Sequence, residues 1–188
     1  DKYISLPLQD DHLYIWDDAG HLLRTFNLDS ELNTVQFSKD GSKILTTSAD
    51  GSAVIWDTLG KKMAVMEHEG EAYAGIFNHV AQELVTISEN QMTIWDTDGY
   101  LIKKVALDLS PLEVTYSPDG RHILVILPGQ LILYDNRGNV VKALEDGAFI
   151  RSVDFSENGK ALAAVAIGTT GDIVKTWDLA TFETQQLP

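Results

Sequence analysis

The sequence predicts an all-β fold in which one small, four-stranded antiparallel sheet is repeated along 188 residues. Three observations carry that reading. A dipeptide anchor recurs at a near-constant step, a second landmark keeps phase with it, and the segments between them are short, β-branched and bounded by Asp-Gly or Asn-Gly turns.

The anchor is Trp-Asp, at Trp16-Asp17, Trp56-Asp57, Trp95-Asp96 and Trp177-Asp178, with Tyr134-Asp135 standing where one more belongs. Successive anchors are 40, 39, 39 and 43 residues apart. The second landmark is an aromatic residue 21 positions after each of the first four anchors: Phe37, Phe77, Tyr116 and Phe155. A turn follows it, written Ser38-Lys39-Asp40-Gly41, Ser117-Pro118-Asp119-Gly120 and Ser156-Glu157-Asn158-Gly159, with Asn78 opening the remaining one. Glycine lies four residues after the anchor at Gly20, Gly60, Gly99 and Gly138, but Thr181 occupies the fifth such position.

One unit reads as strands over Asn33–Ser38, Lys43–Ser48, Ala53–Asp57 and Lys61–Glu67. Inner strands of the four whole units begin near Asn33, Tyr73, Leu112 and Ile150. Ahead of them, Tyr3–Pro7, His12–Asp17 and Leu22–Leu28 supply three strands of a further sheet without its first strand. The third strand is apolar at one and three residues before the anchor, as Leu13 and Ile15, Ala53 and Ile55, Met92 and Ile94, and Leu131 and Leu133 show. Val54 and Ile132 make its other face apolar too, although Thr93 and Lys175 interrupt that pattern. A strand buried on both faces lies in a sheet covered by neighbours on both sides, which radial packing of blades supplies and a two-sheet sandwich does not.

These residues resemble the Trp-Asp (WD) repeat of β-propellers. The resemblance implies an all-β WD-repeat β-propeller of four-stranded antiparallel blades, with four complete blades and a three-stranded partial one. The expected boundaries are 1–30 for the partial blade, then 31–69, 70–108, 109–147 and 148–188. In the family a His before the first strand joins a strand Ser or Thr, the Trp and a hairpin Asp in a hydrogen-bonded set. Only His68 fills that slot; Leu28, Leu107 and Asp146 stand there in the other units, and Asp50 matches the Asp in a unit that lacks the His. The blades are therefore expected to rest on apolar packing more than on that network. Closed propellers have about four to eight blades, so the missing strand, together with a first residue that is Asp1 rather than Met, leads to the expectation of a part of a larger ring, completed by self-association or by further blades.

Composition narrows the function. With 28 Asp and Glu against 14 Lys and Arg the formal net charge is −14, which repels nucleic acid phosphates and anionic headgroups and favours a protein partner with a basic surface. The absence of cysteine excludes a disulfide framework, a thiolate metal site and a cysteine nucleophile. The longest apolar run, Ala161 to Ile167, is far shorter than the roughly 18 residues of a membrane-spanning helix.

No catalytic motif is present: the sequence contains neither G-x-S-x-G, nor G-x-G-x-x-G, nor a P-loop. His68-Glu69 opens like a zinc helix, but position 72 is Ala, and the five histidines at 12, 21, 68, 79 and 122 share no ligand spacing. Asp10-Asp11, Asp17-Asp18 and Asp96-x-Asp98-Gly99 lack the ligand set of a calcium loop and are read as turn residues. The anchor aromatics, fixed in phase at strand ends, are read as core rather than as a sugar-stacking platform. No metal, cofactor or catalytic residue is assigned.

Where units agree, the fold demands the residue; where equivalent loop positions differ, a partner is free to choose. Six and four residues before the landmark aromatic stand Glu31 and Asn33, Glu71 and Tyr73, Ser110 and Leu112, and Phe149 and Arg151. In the family this approach to the first strand lies on the top face beside the second hairpin. Glu31, Asn33, Glu71, Tyr73, Leu112, Phe149 and Arg151 are therefore the candidate partner-binding residues, with packing against a neighbouring blade an equal expectation for Leu112 and Phe149. The function these readings favour is a non-enzymatic protein-interaction scaffold. The competing one is an enzymatic, small-ligand or metal-binding propeller with its site in a central channel. Likeness to bacterial WD-repeat proteins implies a cytoplasmic location.

Overall fold

Nineteen strands in five separate sheets make up the structure, a computed structural model that describes residues 3–7, 12–145, 149–168 and 171–187. The first sheet holds β1 (Tyr3–Pro7), β2 (His12–Asp17) and β3 (Leu22–Asn27). The second holds β4 (Leu32–Phe37), β5 (Lys43–Ser48), β6 (Ser52–Asp57) and β7 (Lys62–Glu67), and the third β8 (Ala72–Phe77), β9 (Glu83–Ser88), β10 (Gln91–Asp96) and β11 (Leu101–Ala106). The fourth comprises β12 (Glu113–Tyr116), β13 (His122–Leu127), β14 (Gln130–Asp135) and β15 (Val140–Glu145), and the fifth β16 (Phe149–Phe155), β17 (Ala161–Gly168), β18 (Gly171–Asp178) and β19 (Thr184–Leu187). Every pairing is antiparallel and sequential, and no described residue is helical. Two units divide the chain, residues 1–108 with the first three sheets and residues 109–188 with the other two.

The anchor Asp closes the turn between the third and outer strands. Asp57 Oδ1 accepts the Leu59 and Lys61 N–H groups, both at 2.9 Å, and Asp96 Oδ1 accepts those of Asp98 and Tyr100, again at 2.9 Å. Asp17 and Asp135 repeat the arrangement. Glycine is required because the residue that completes the turn is left-handed, with φ of 87° at both Gly60 and Gly99. The fifth unit keeps the geometry differently: its turn is one residue longer, the Phe182 N–H reaches the Asp178 carbonyl, and Phe182 itself takes φ of 57°. Thr181 thus stands in for glycine because the left-handed position has moved past it to Phe182, which bears the conformational cost instead. The 43-residue step has a similar cause, since β17 and β18 are each eight residues long where their counterparts in the other whole sheets have six.

Side-chain alternation explains the double apolar faces. In unit one, Ile44, Val54 and Trp56 of the second sheet pack with Leu13, Ile15 and Phe26 of the first. Their chain neighbours Leu45, Ala53 and Ile55 point the other way, onto Phe77, Leu84 and Trp95 of the third. In unit two, Leu124, Ile126, Leu131 and Leu133 meet Leu162, Ala164 and Trp177. Thr93, which interrupts the sequence pattern, is nevertheless fully buried. Gly75 marks a close approach: a Cβ there would stand 2.7 Å from Thr47 Cγ2 and 3.0 Å from a Leu45 methyl.

Strand limits shift slightly from expectation. Leu28 falls outside β3, β16 begins at Phe149 rather than Ile150, and β12 has only four residues. Pro111 accounts for the last: it stands where Leu32 and Ala72 pair with Ser48 and Ser88, and a proline has no N–H to give to that ladder.

Candidate functional site

Each outer strand hands over to the next sheet's inner strand at the end where the second hairpin also lies, as the pairing of Leu32 with Ser48 and of Ser52 with Glu67 requires. Four of the seven candidate residues fall on one recurring backbone position at this end, and Glu31, Glu71 and Phe149 lie two residues before it. The register of β4 against β5 slips between Leu32 and Thr34, that of β8 against β9 between Ala72 and Ala74, and that of β16 against β17 between Ile150 and Ser152. Asn33, Tyr73 and Arg151 are therefore the extra residues of β-bulges, outside the regular ladder. Leu112, between Pro111 and the first ladder residue Glu113, holds the same position in the fourth sheet. A bulge re-aims its side chain out of the strict in-and-out alternation, so the identity of the residue is released from core packing.

The residues then behave differently. Tyr73 is 42% exposed and Leu112 68%, so Leu112 faces solution rather than a neighbouring sheet within its own unit. Asn33 instead ties two sheets together: its Nδ2 donates to Glu71 Oε1 at 3.0 Å and to the Ala72 carbonyl at 2.9 Å. Arg151 is exposed and donates to Asp172 Oδ2 at 2.8 Å. Glu31 and Glu71 are exposed, and the Glu31 carbonyl receives the Ala49 N–H at 3.1 Å. Phe149 opens β16, but its side chain lies outside the described residues, as do Asp10, Asp11 and Asp146. Glu31, Asn33, Glu71 and Tyr73 belong to unit one, Leu112 and Arg151 to unit two.

Sequence reasoning passed over the charge of the loops around these positions. At this end of unit one, Asp29, Glu31, Asp50, Glu69, Glu71 and Glu89 are all exposed, and residues 28–31, 49–51, 68–71 and 89–90 contain no Lys or Arg. Lys62 reaches in from β7 to pair with Asp29. The signal was available, since the loops of successive units needed only to be compared for charge rather than for size.

Beneath these loops, His68 completes a hydrogen-bonded chain in the third sheet. Its Nδ1 donates to the Gly51 carbonyl at 2.9 Å, which leaves Nε2 of the neutral ring to accept from the Thr86 hydroxyl at 2.7 Å. Thr86 Oγ1 in turn accepts the Trp95 indole N–H at 2.8 Å, and the imidazole meets the Trp95 ring edge-on. The set lacks the hairpin Asp, since its own turn reads Ser88-Glu89-Asn90, and a backbone carbonyl takes that place. Burial, the largest influence, depresses the His68 pKa and keeps the ring neutral, against the Gly51 hydrogen bond and with help from Lys104. In the second sheet Trp56 donates to Thr46 at 2.8 Å in the same way, but Leu28 replaces the imidazole.

The family model of the WD40 repeat, described as WD domain, G-beta repeat, matches residues 20–57. No curated protein matches the chain. The matched stretch begins just before β3 and ends with β6, so one sequence repeat spans the outer strand of one sheet and three strands of the next. With five blade-like sheets, the resemblance read from the sequence is met by both the repeat and the fold, and the WD40 repeat is the mark of a family of protein-interaction scaffolds. No described helix is long and apolar enough to cross a membrane.

Proposed function

We propose that this chain is a non-enzymatic scaffold that binds a protein with a basic surface through the loops and inner-strand bulges at the connection end of its sheets. The observation that carries the reading is the coincidence of sequence variation with ladder breaks: Asn33, Tyr73, Leu112 and Arg151 differ in kind, and each stands where the backbone no longer dictates the side chain. Tyr73 and Arg151 are the anchor types that concentrate energy at interfaces. The exposed carboxylates around Tyr73 favour Lys and Arg in the partner, and their field speeds encounter more than it tightens the final complex. Arg151, matched to Asp172, is proposed to exchange that surface pair for a carboxylate on the partner. The protein is proposed to act in the cytoplasm, in keeping with its likeness to bacterial WD-repeat proteins.

The β1 edge bears on assembly. Four sheets carry an inner strand against the equivalent of β1, and the first sheet has none among the described residues. We propose that further blades or a second copy cover that edge, because an open row of backbone donors and acceptors pairs readily with another strand.

The test is binding of a lysine- and arginine-rich peptide and of its glutamate-substituted counterpart, measured by fluorescence anisotropy at low and physiological salt. The account predicts preference for the basic peptide, weakening with salt, and loss of about tenfold in affinity for Tyr73→Ala. Equal binding of both peptides, or an unchanged affinity in Tyr73→Ala, overturns it.

A further inference from the structure

The second and third sheets use equivalent residues to different ends, and the difference leaves a cavity. Thr46 corresponds to Thr86, Trp56 to Trp95 and Leu28 to His68, each pair holding the same place in its repeat. In the third sheet the threonine hydroxyl accepts the indole N–H and donates its own hydrogen bond to the imidazole. In the second, Thr46 receives the Trp56 N–H, but its own proton meets no described acceptor, although the residue is only 1% exposed. The Ser48 hydroxyl forms no hydrogen bond to a described residue and is left to solvent, whereas its counterpart Ser88 donates to the Gly70 carbonyl. Both hydroxyls line a cavity of about 180 Å³ that Leu28, Trp56 and Asp50 also border.

A buried hydroxyl donor without an acceptor, as at Thr46, is costly unless something else satisfies it. The cavity opens to solution past the exposed Asp29, Asp50, Lys62 and Glu67, so water reaches Thr46, and the volume also admits a larger guest than the ~10–15 Å³ of one water. The occupant that matches is visible in the sister site: a flat, neutral five-membered ring that accepts a hydrogen bond on one nitrogen and donates from the other. Leu28 supplies an apolar wall but no acceptor.

We propose that this cavity is a binding site for a neutral imidazole-type ring, as a free small molecule or as a histidine side chain presented by a partner, seated with its acceptor nitrogen on the Thr46 hydroxyl and its N–H toward the carboxylate side of the cavity. This inference does not depend on the bulge residues as a partner surface. Asp50 Oδ1 already accepts the Ser52 N–H at 2.9 Å, which fixes one oxygen of its carboxylate and leaves the other available.

The experiment follows the indole N–H resonances of Trp56 and Trp95 in the 188-residue chain during titration at pH 8, where free imidazole is neutral. The expected result is a saturable shift at Trp56 and none at Trp95. The shift should vanish in Thr46→Val, which removes the donor, and in Leu28→His, which fills the cavity from within; the second variant guards against a folding defect in the first. N-acetylhistidine amide in place of imidazole separates the two sources, since only a site open to a backbone-bearing ring admits it. Absence of saturation at Trp56, equal shifts at both indoles, or undiminished binding in Leu28→His overturns the proposal.

Discussion

His68 shows how much one residue carries when its environment is closed. The imidazole links the Gly51 carbonyl to Thr86, and through it to Trp95. Thr86→Val is expected to lower stability by about 1–3 kcal/mol, because two buried polar groups lose their partner while volume is kept. Thr86→Ser, which restores the hydroxyl, should recover most of that loss in urea denaturation. The same histidine predicts a pH dependence. Burial holds its folded pKa below the ordinary 6.5, so on acidification the unfolded chain binds the proton first. The stability that neutral His68 contributes is complete above about pH 6.5 and is lost as pH falls through the depressed folded value. Denaturation midpoints of His68→Gln against the parent should therefore converge on acidification. Asp40, held down to about 2 first by the Ser38 hydroxyl and then by the Ser42 N–H and hydroxyl, acts in the same direction at lower pH.

At the scale of strands, bulges and close approaches divide positions into those the fold fixes and those it releases. Gly75 is fixed: the Thr47 methyl 2.7 Å from the site of its missing Cβ belongs to a buried residue. Gly75→Ala is expected to cost about 1–3 kcal/mol through overpacking. Tyr73, two residues earlier, is released, and Tyr73→Ala should change stability by less than about 0.5 kcal/mol. Both are read from thermal or denaturant unfolding, and a large loss in Tyr73→Ala would contradict its assignment to the surface. The strands, their order and the role of the anchor were legible in the sequence, because alternation and turn chemistry are local. The bulges were not: a one-residue slip leaves no mark in composition, and only the fixed spacing to Phe37, Phe77 and Phe155 hinted that Asn33, Tyr73 and Arg151 are equivalent. The Asn33 bridge to Glu71 and Ala72 joins residues 38 and 39 positions apart, beyond the reach of any local pattern. Leu28 was recognised as a departure from the repeat, but the cavity beside it depends on which hydroxyls lack partners, and that needs coordinates.

For the molecule as a whole, apolar packing between sheets and charge at their ends are separable. The core of unit one is continuous through both faces of the second sheet, with Leu45 and Ile55 fully buried. Ile55→Ala should destabilise by about 2–5 kcal/mol. It is expected to leave binding of a basic peptide unchanged in protein that remains folded, whereas charge reversal at Glu69 and Glu71 should do the opposite. The net charge of −14 makes any such binding salt-sensitive. The proposed cover of the β1 edge by a second copy would make association concentration-dependent, so light scattering across a tenfold dilution belongs beside every binding experiment. The most direct test of the scaffold reading is amide chemical-shift mapping with the lysine- and arginine-rich peptide. The account predicts perturbations at residues 28–33, 49–51 and 67–73, with little change at the opposite turns around Asp40 and Gly60. Perturbations centred on those opposite turns, or spread evenly over the surface, would contradict it.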